Sequence, residues 1–294
     1  MAKFGFEGCL TALVTPFKGG RVDFEALAKL VDWQIENGVD GIVSVGTTGE
    51  SATLDVEEHV AVIASTVKAA RGRVPVIAGA GGNATAEALA LTKASEDAGA
   101  DALLHVTPYY NRPSQEGLFR HFEAIAKASK LPVILYNVPS RTACDLQTET
   151  VVRLAAFPNI VGVKDATGNL VRGAELIAAI GDRMTILSGD DGTTFPLYAL
   201  GARGTISVVS NVAPKDMADM WDAARTGDWA TAKKLHYKLR ALMQLLFVEP
   251  SPAPCKAALA ALGRCGSEIR LPLVAASDKL AGELKRELTA IGLA

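Results

Sequence analysis

From Cys9 to Thr226 a short apolar run, a turn and an amphipathic stretch follow one another eight times. The runs are Cys9–Val14, Gly41–Val45, Val74–Ala78, Ala102–Val106, Val133–Val138, Ile160–Val163, Met184–Leu187 and Gly204–Val209. Between and after them, apolar residues recur at helical spacing over Phe24–Asn37, Val56–Ala70, Ala84–Ala98, Gln115–Ser129, Thr148–Ala156, Leu170–Ile180, Thr193–Leu200 and Pro214–Thr226. Asn37-Gly38, Ala98-Gly99 and Ile180-Gly181 place glycine just past helix ends. A strand that is apolar on both faces needs cover on both faces, which is the condition of a parallel sheet walled by helices. Eight such units predict an α/β fold, a (β/α)8 TIM barrel. A doubly wound open sheet is the competing architecture, but the regular count and the absence of G-x-G-x-x-G argue against it. Gly79-Ala80-Gly81-Gly82 is followed by Ala84 where that fingerprint has its third glycine, and it reads as a turn after the third run.

Beyond Asp228 the alternation stops. Trp229–Phe247, Ala253–Leu262 and Ser277–Ile291 read as helices with no strand between them. The expected organisation is a barrel over 1–227 and a C-terminal helical appendage over 228–294. Lys256 sits at helical spacing within an apolar stretch and reads as a surface lysine with its stem on apolar ground.

The balance of 30 basic and 32 acidic residues, net charge −2, gives no field that would draw nucleic acid or a membrane surface. No apolar stretch approaches the ~18 residues of a membrane span. Met1–Pro16 makes a poor signal peptide, since Thr11, Thr15 and Pro16 break its apolar stretch. Cys9, Cys144, Cys255 and Cys265 are scattered, as expected of free buried thiols in a reducing cytoplasm. The four histidines are dispersed too, so no metal site is expected.

Sites in such barrels form where the strands end. The second run ends in Gly46-Thr47-Thr48-Gly49-Glu50, the fourth in Thr107-Pro108-Tyr109-Tyr110, and the fifth in Tyr136-Asn137 with Arg141 beyond. The sixth ends in Lys164-Asp165 and the seventh in Ser188-Gly189-Asp190-Asp191. Lys164 is the unusual member, because a lysine at the end of an apolar strand lies in the barrel wall. Burial disfavours its ammonium form, which suits an amine that attacks a carbonyl. Tyr136 ends the preceding strand, where a phenol can shuttle protons. Thr47 and Thr48 offer hydroxyls and backbone amides to a carboxylate, and Arg141 offers a bidentate fork to a second one. Taken singly, each has a plainer alternative: a snorkelling lysine, a core tyrosine, an ordinary turn, a surface arginine.

Together these segments resemble the dihydrodipicolinate synthase family of pyruvate-dependent class I aldolases, which also contains N-acetylneuraminate lyase. The resemblance rests on Gly46-Thr47-Thr48-Gly49-Glu50-Ser51, Thr107-Pro108-Tyr109-Tyr110-Asn111, Tyr136-Asn137-Val138-Pro139-Ser140-Arg141-Thr142 and Gly162-Val163-Lys164-Asp165, in order along the barrel. It implies that Lys164 forms a Schiff base with pyruvate and that Thr47 and Thr48 receive the keto acid's carboxylate. It implies a proton relay through Thr48, Tyr136 and Tyr110, with Tyr110 supplied by a neighbouring subunit. Gly189 and Ile206 match substrate-binding positions, and Arg141 matches the residue that binds L-aspartate 4-semialdehyde. No cofactor beyond the lysine imine is implied, and the assembly implied is a homotetramer, a dimer of dimers. Ser51, Ala52, His59, Asn83, Glu87 and Tyr109 match a site where L-lysine inhibits family members. Val56 stands where some lysine-sensitive members carry a second histidine. Two other functions compete. One is a sialic acid or sugar-acid aldolase using the same imine, against which Arg141 and the lack of a Gly-Tyr-Asp-Glu type of segment speak. The other is a non-catalytic barrel that binds lysine or pyruvate, against which the joint presence of Lys164, Tyr136, Thr48 and Arg141 speaks.

Overall fold

A computed structural model describes residues 6–294; residues 1–5, which include the first part of the segment weighed as a signal peptide, lie outside the described residues. In chain order the elements begin with β1 (Gly8–Ala12), the hairpin strands β2 (Phe17–Lys18) and β3 (Arg21–Val22), α1 (Phe24–Glu36), β4 (Gly41–Ser44), α2 (Val56–Ala70), β5 (Val76–Gly79) and α3 (Thr85–Asp97). They continue with β6 (Ala102–Val106), α4 (Gln115–Ala128), β7 (Val133–Asn137), α5 (Pro139–Thr142), α6 (Thr148–Leu154), β8 (Ile160–Asp165), α7 (Leu170–Ile180), β9 (Thr185–Ser188) and α8 (Asp191–Leu200). The last are β10 (Gly204–Ser207), α9 (Pro214–Arg225), α10 (Trp229–Leu245), α11 (Ala253–Ala261) and α12 (Asp278–Ala290). Eight parallel strands close in the order β1-β10-β9-β8-β7-β6-β5-β4, and three helices follow the barrel.

Alternation along each strand sorts its side chains into two cores. Leu10, Val43, Ile77, Leu104, Ile134, Tyr136, Leu187 and Ile206 fill the barrel. Cys9, Ile42, Leu103, Leu135, Val163 and Ile186 face the helices. Polar caps start the helices: Asp23, Asp55, Ser114, Asn169, Asp190, Asp228 and Ser277 each accept an amide in the first turn of α1, α2, α4, α7, α8, α10 and α12. The Asp190 cap explains why α8 begins before Thr193, where apolar periodicity places its start.

Two glycines are required by close approach at the mouth. A Cβ on Gly79 would lie 2.2 Å from the Val45 carbonyl oxygen, and one on Gly81 would lie 2.6 Å from the Val106 nitrogen. The glycine-rich turn after β5 thus brings the ends of β4, β5 and β6 together. No helix among the described residues is long and apolar enough to cross a membrane. The cysteines are free, and Cys9, Cys144 and Cys255 are buried, while Cys265 is only half-buried.

One residue departs from its expected place. Lys256 is not a surface lysine: it has no exposed area, and its ammonium pairs with the buried Glu50 carboxylate. The α11 helix is buried around Ala253, Pro254, Cys255, Ala258 and Leu259, so no solvent lies within reach of the lysine's stem.

Candidate active site

The register of β7 and β8 sets Tyr136 directly beside Lys164 and Asn137 beside Asp165. Side chains alternate across the wall, so Tyr136 and Lys164 face the interior while Asn137 and Asp165 face the helices. Both inner residues are 6% exposed. The Lys164 nitrogen lies 4.2 Å from the centre of the Tyr136 ring, within cation–π range. A Cβ on Gly189 would come within 2.9 Å of the Lys164 Cε and 2.7 Å of the Ala166 Cβ. Glycine at the end of β9 is therefore what gives the lysine room. Ile206, buried on β10, packs in the same interior cluster as Tyr136 and Leu187.

A polar clamp holds this strand pair from behind. Asp165 accepts from the Arg172 Nε at 2.6 Å and from the Thr167 amide at 3.0 Å. Arg172 also donates to the Leu146 carbonyl and lies 3.9 Å from Asp145. Asn137 closes the circuit, donating to Asp145 at 2.7 Å and accepting from the Leu146 amide at 3.0 Å.

The carboxylate cradle is built from the turn after β4. Val45 (φ 55°) and Glu50 (φ 58°) adopt left-handed backbone, which is strained for a β-branched residue in particular. The Thr47 carbonyl accepts from the Glu50 amide at 3.1 Å, and the Gly46 carbonyl accepts from the Ser51 amide at 3.4 Å. A trans peptide points its N–H opposite to its carbonyl. The Thr48 and Thr47 amides, which share those two peptides, therefore point away from the turn. Neither has an acceptor among the described residues. Thr48 is buried and Thr47 half-buried. Thr15 steadies the turn by donating its hydroxyl to the Gly49 carbonyl at 2.7 Å.

Two cavities share this turn. One of about 40 Å³ is lined by Thr47, Ser51, His59 and Tyr136 among others. The other, of about 420 Å³, takes in Thr47, Arg141, Ser51, His59, Glu87 and Tyr109. Arg141 is exposed on the four-residue α5 and has no acidic partner among the described residues. Ala52 and Val56 line the larger cavity too. Asn83 reaches its rim, donating to the Tyr109 carbonyl at 3.2 Å. His59 Nε2 lies 2.7 Å from the Gly79 carbonyl, so that nitrogen carries the proton and donates. Burial holds His59 below its usual range. The Tyr109 phenol is raised by burial and by the Glu87 charge.

Tyr110 is the candidate that the single chain leaves apart. It is 90% exposed and has left-handed backbone (φ 73°); it lines neither cavity, and nor do Lys164, Thr48 and Ile206, but those three are buried. Of the residues that hold the site from outside, Asp191 belongs to the strand-end segment after the seventh run and accepts the Val208 and Val209 amides at 3.0 Å each beyond β10, whereas Arg172, Asp145 and Lys256 were not among the sequence candidates. Their side chains sit on helices and loops, where the strand-end criterion does not look. No group of three or more His, Cys, Asp or Glu among the described residues is placed to hold a metal ion.

The sequence model of the dihydrodipicolinate synthetase family matches residues 5–291. The chain is 54% identical to the 4-hydroxy-tetrahydrodipicolinate synthase of Marinobacter nauticus over 288 residues, covering 97% of this chain and 99% of that one. Among solved structures it is similar to the chloride-inhibited dihydrodipicolinate synthase of Acinetobacter baumannii complexed with pyruvate (49% identity, TM-score 0.97, 99% of this chain and 100% of that chain). It is also similar to the Cyanidioschyzon merolae enzyme with lysine bound (41% identity, TM-score 0.95, 98% and 99%).

Proposed function

The chain belongs to the dihydrodipicolinate synthetase family, and from that premise we propose that it is a lyase condensing pyruvate with L-aspartate 4-semialdehyde to 4-hydroxy-tetrahydrodipicolinate, on the path to diaminopimelate and lysine. The observation that carries this reading is the side-by-side register of Lys164 and Tyr136 on the inner wall, beside a turn with two free amides.

Lys164 attacks the keto carbon of pyruvate as the free amine and expels water, leaving an imine. The amides and hydroxyls of Thr47 and Thr48 hold the carboxylate, so the methyl carbon projects into the mouth. Loss of a methyl proton gives the enamine, whose carbon attacks the aldehyde of the second substrate. Tyr136, Thr48 and Tyr110 of a neighbouring copy relay the protons, and Arg141 binds the second substrate's carboxylate. The substrate amine then adds to the imine carbon, closing the ring and freeing Lys164. The imine is the only covalent device required, so no cofactor or metal takes part. The reaction runs in the cytoplasm on a homotetramer, a dimer of dimers. Residues 1–227 form the catalytic unit, and residues 228–294 brace it.

Incubation with pyruvate and borohydride tests the chemistry. One reduced pyruvyl adduct per chain is expected on the wild type and none on Lys164→Ala; an adduct undiminished in that variant rejects the assignment. The larger cavity supports a second role. Ser51, Ala52, His59, Asn83, Glu87 and Tyr109 surround or rim it, and Glu87 gives a carboxylate to an ammonium there. We read it as an L-lysine inhibitory site that shares Thr47 with the cradle. Turnover that is unaffected by millimolar L-lysine refutes this role.

A further inference from the structure

Lys256 has no exposed surface, and no step of the proposed reaction uses it. Its ammonium pairs with Glu50 and donates to the Glu268 carbonyl at 2.8 Å. It also lies 4.1 Å from the centre of the Phe17 ring. The Glu50 carboxylate accepts in addition from the Arg270 amide at 3.3 Å. Arg270 grips Glu58 at 2.6 and 2.7 Å and donates to the carbonyls of Thr53 and Gly20. Glu268 in turn accepts from the amides of Gly19 and Gly20. Three distant segments thus meet around the Glu50–Lys256 pair: the β2–β3 hairpin, the turn after β4 and the chain from α11 to Arg270.

Stability alone is a weak reason for such a pair. Burying both charges is costly, and apolar replacements of equal volume often serve as well or better. Burial indeed pulls the Lys256 ammonium down, with the Glu50 charge opposing it. What the pair supplies is geometry. Glu50 holds left-handed backbone (φ 58°, ψ 37°), which a non-glycine residue keeps only when its surroundings insist on it. Its amide is the donor that fixes the Thr47 carbonyl, and the Thr47 carbonyl sets the direction of the Thr48 amide.

We propose that Lys256 is a positioning residue: acting through Glu50, it locks the Thr47–Thr48 turn in the conformation that presents its amides to the keto acid's carboxylate, so the C-terminal helical region governs pyruvate binding. This rests on the reading of that turn as the pyruvate cradle.

The test uses the full chain as the wild type, as Lys256→Met, and as the double variant Glu50→Gln/Lys256→Met. Borohydride trapping is measured against pyruvate concentration, alongside the melting temperature and the half-saturation for aspartate semialdehyde. Lys256→Met should raise the pyruvate concentration for half-maximal trapping about tenfold, while semialdehyde half-saturation stays within about twofold. The double variant leaves no lone buried charge, so its melting temperature should return toward wild type, yet its pyruvate half-saturation should stay raised. Wild-type pyruvate half-saturation in the folded double variant overturns the proposal. Independently of any variant, locking pyruvate onto the wild type should slow hydrogen exchange in peptides covering 46–51 and 253–270. Protection confined to barrel peptides overturns it as well. A wild type that pyruvate never labels overturns the reading of the cradle itself, so the two failures are distinct.

Discussion

In the proposed reaction Arg141 carries the choice of second substrate, and its surroundings suit that task. It stands on α5, which Pro139 opens and Ala143 closes in left-handed backbone. With no acidic partner among the described residues, its fork is free to meet a carboxylate, and solvation keeps that freedom cheap. Glu50 lines the same cavity but is neutralised by Lys256, so it does not compete for the guanidinium. Arg141→Ala should lower kcat/KM for aspartate semialdehyde by roughly ten- to a hundredfold, the worth of about 1.5–3 kcal/mol for hydrogen bonds to a charged group. Pyruvate trapping should survive. Steady-state kinetics paired with trapping checks both halves, and loss of trapping would move Arg141 into the pyruvate site. Candidates such as Lys164 and Tyr136 are legible in sequence because each is a polar group where an apolar strand stops, and Arg141 because it follows such an end closely. Lys256 is not legible: helical spacing shows which face of α11 is apolar, but not that its polar face is covered by Glu50 from the opposite end of the chain.

Elements were legible in proportion to their length and burial. Strands covered on both faces announce themselves as apolar runs, and capped helices announce their starts. The two-residue strands β2 and β3 and the four-residue α5 are too short to display a period, so they appear only when the chain is folded. Pairing of β7 with β8 is the element-level fact on which the proposed catalysis depends, because it sets Lys164 beside Tyr136. The register shifts between Val133 and Ile134 at the start of β7 and is continuous from there to the far end of the strands. The Asp165–Arg172–Asp145–Asn137 clamp secures it there. The Asp165 and Arg172 side chains are only 5% and 11% exposed, so removing one partner strands a buried charge. Arg172→Met should destabilise the fold by about 3 kcal/mol or more and slow imine formation, since Lys164 neighbours Asp165. Adding Asp165→Asn should restore much of the stability. Denaturant melts combined with single-turnover trapping give the answer; a variant that loses stability but forms the imine at the wild-type rate would show that the clamp serves the fold alone.

At the scale of the whole molecule the single chain leaves the proposed proton relay incomplete. Lys164 and Tyr136 pair on the inner wall and Thr48 sits in the turn after β4 at the same end of the barrel, while Tyr110 projects outward, 90% exposed, from a loop in which both it and Arg112 hold left-handed backbone. Strain of that kind persists where a side chain must be aimed, and a bare tyrosine ring is the sort of group that an interface covers. Single-chain patterning is silent here, because an exposed tyrosine in a loop reads the same whether solvent or a second copy receives it; only the family resemblance names the recipient. In a two-fold dimer the exchange is reciprocal, each copy lending Tyr110 to the other. Pairing a Tyr110→Phe chain with a Lys164→Ala chain therefore has a definite outcome. One mouth of the mixed dimer holds an intact Lys164 and receives an intact Tyr110 from its neighbour, while the other holds neither. Mixing two nearly inactive parents and letting subunits exchange should recover activity toward that of one site in two. If Tyr110 acts within its own chain, neither mouth is complete and mixing recovers nothing. Turnover followed through subunit exchange, with the mixed species isolated by a tag on one parent, decides between these outcomes.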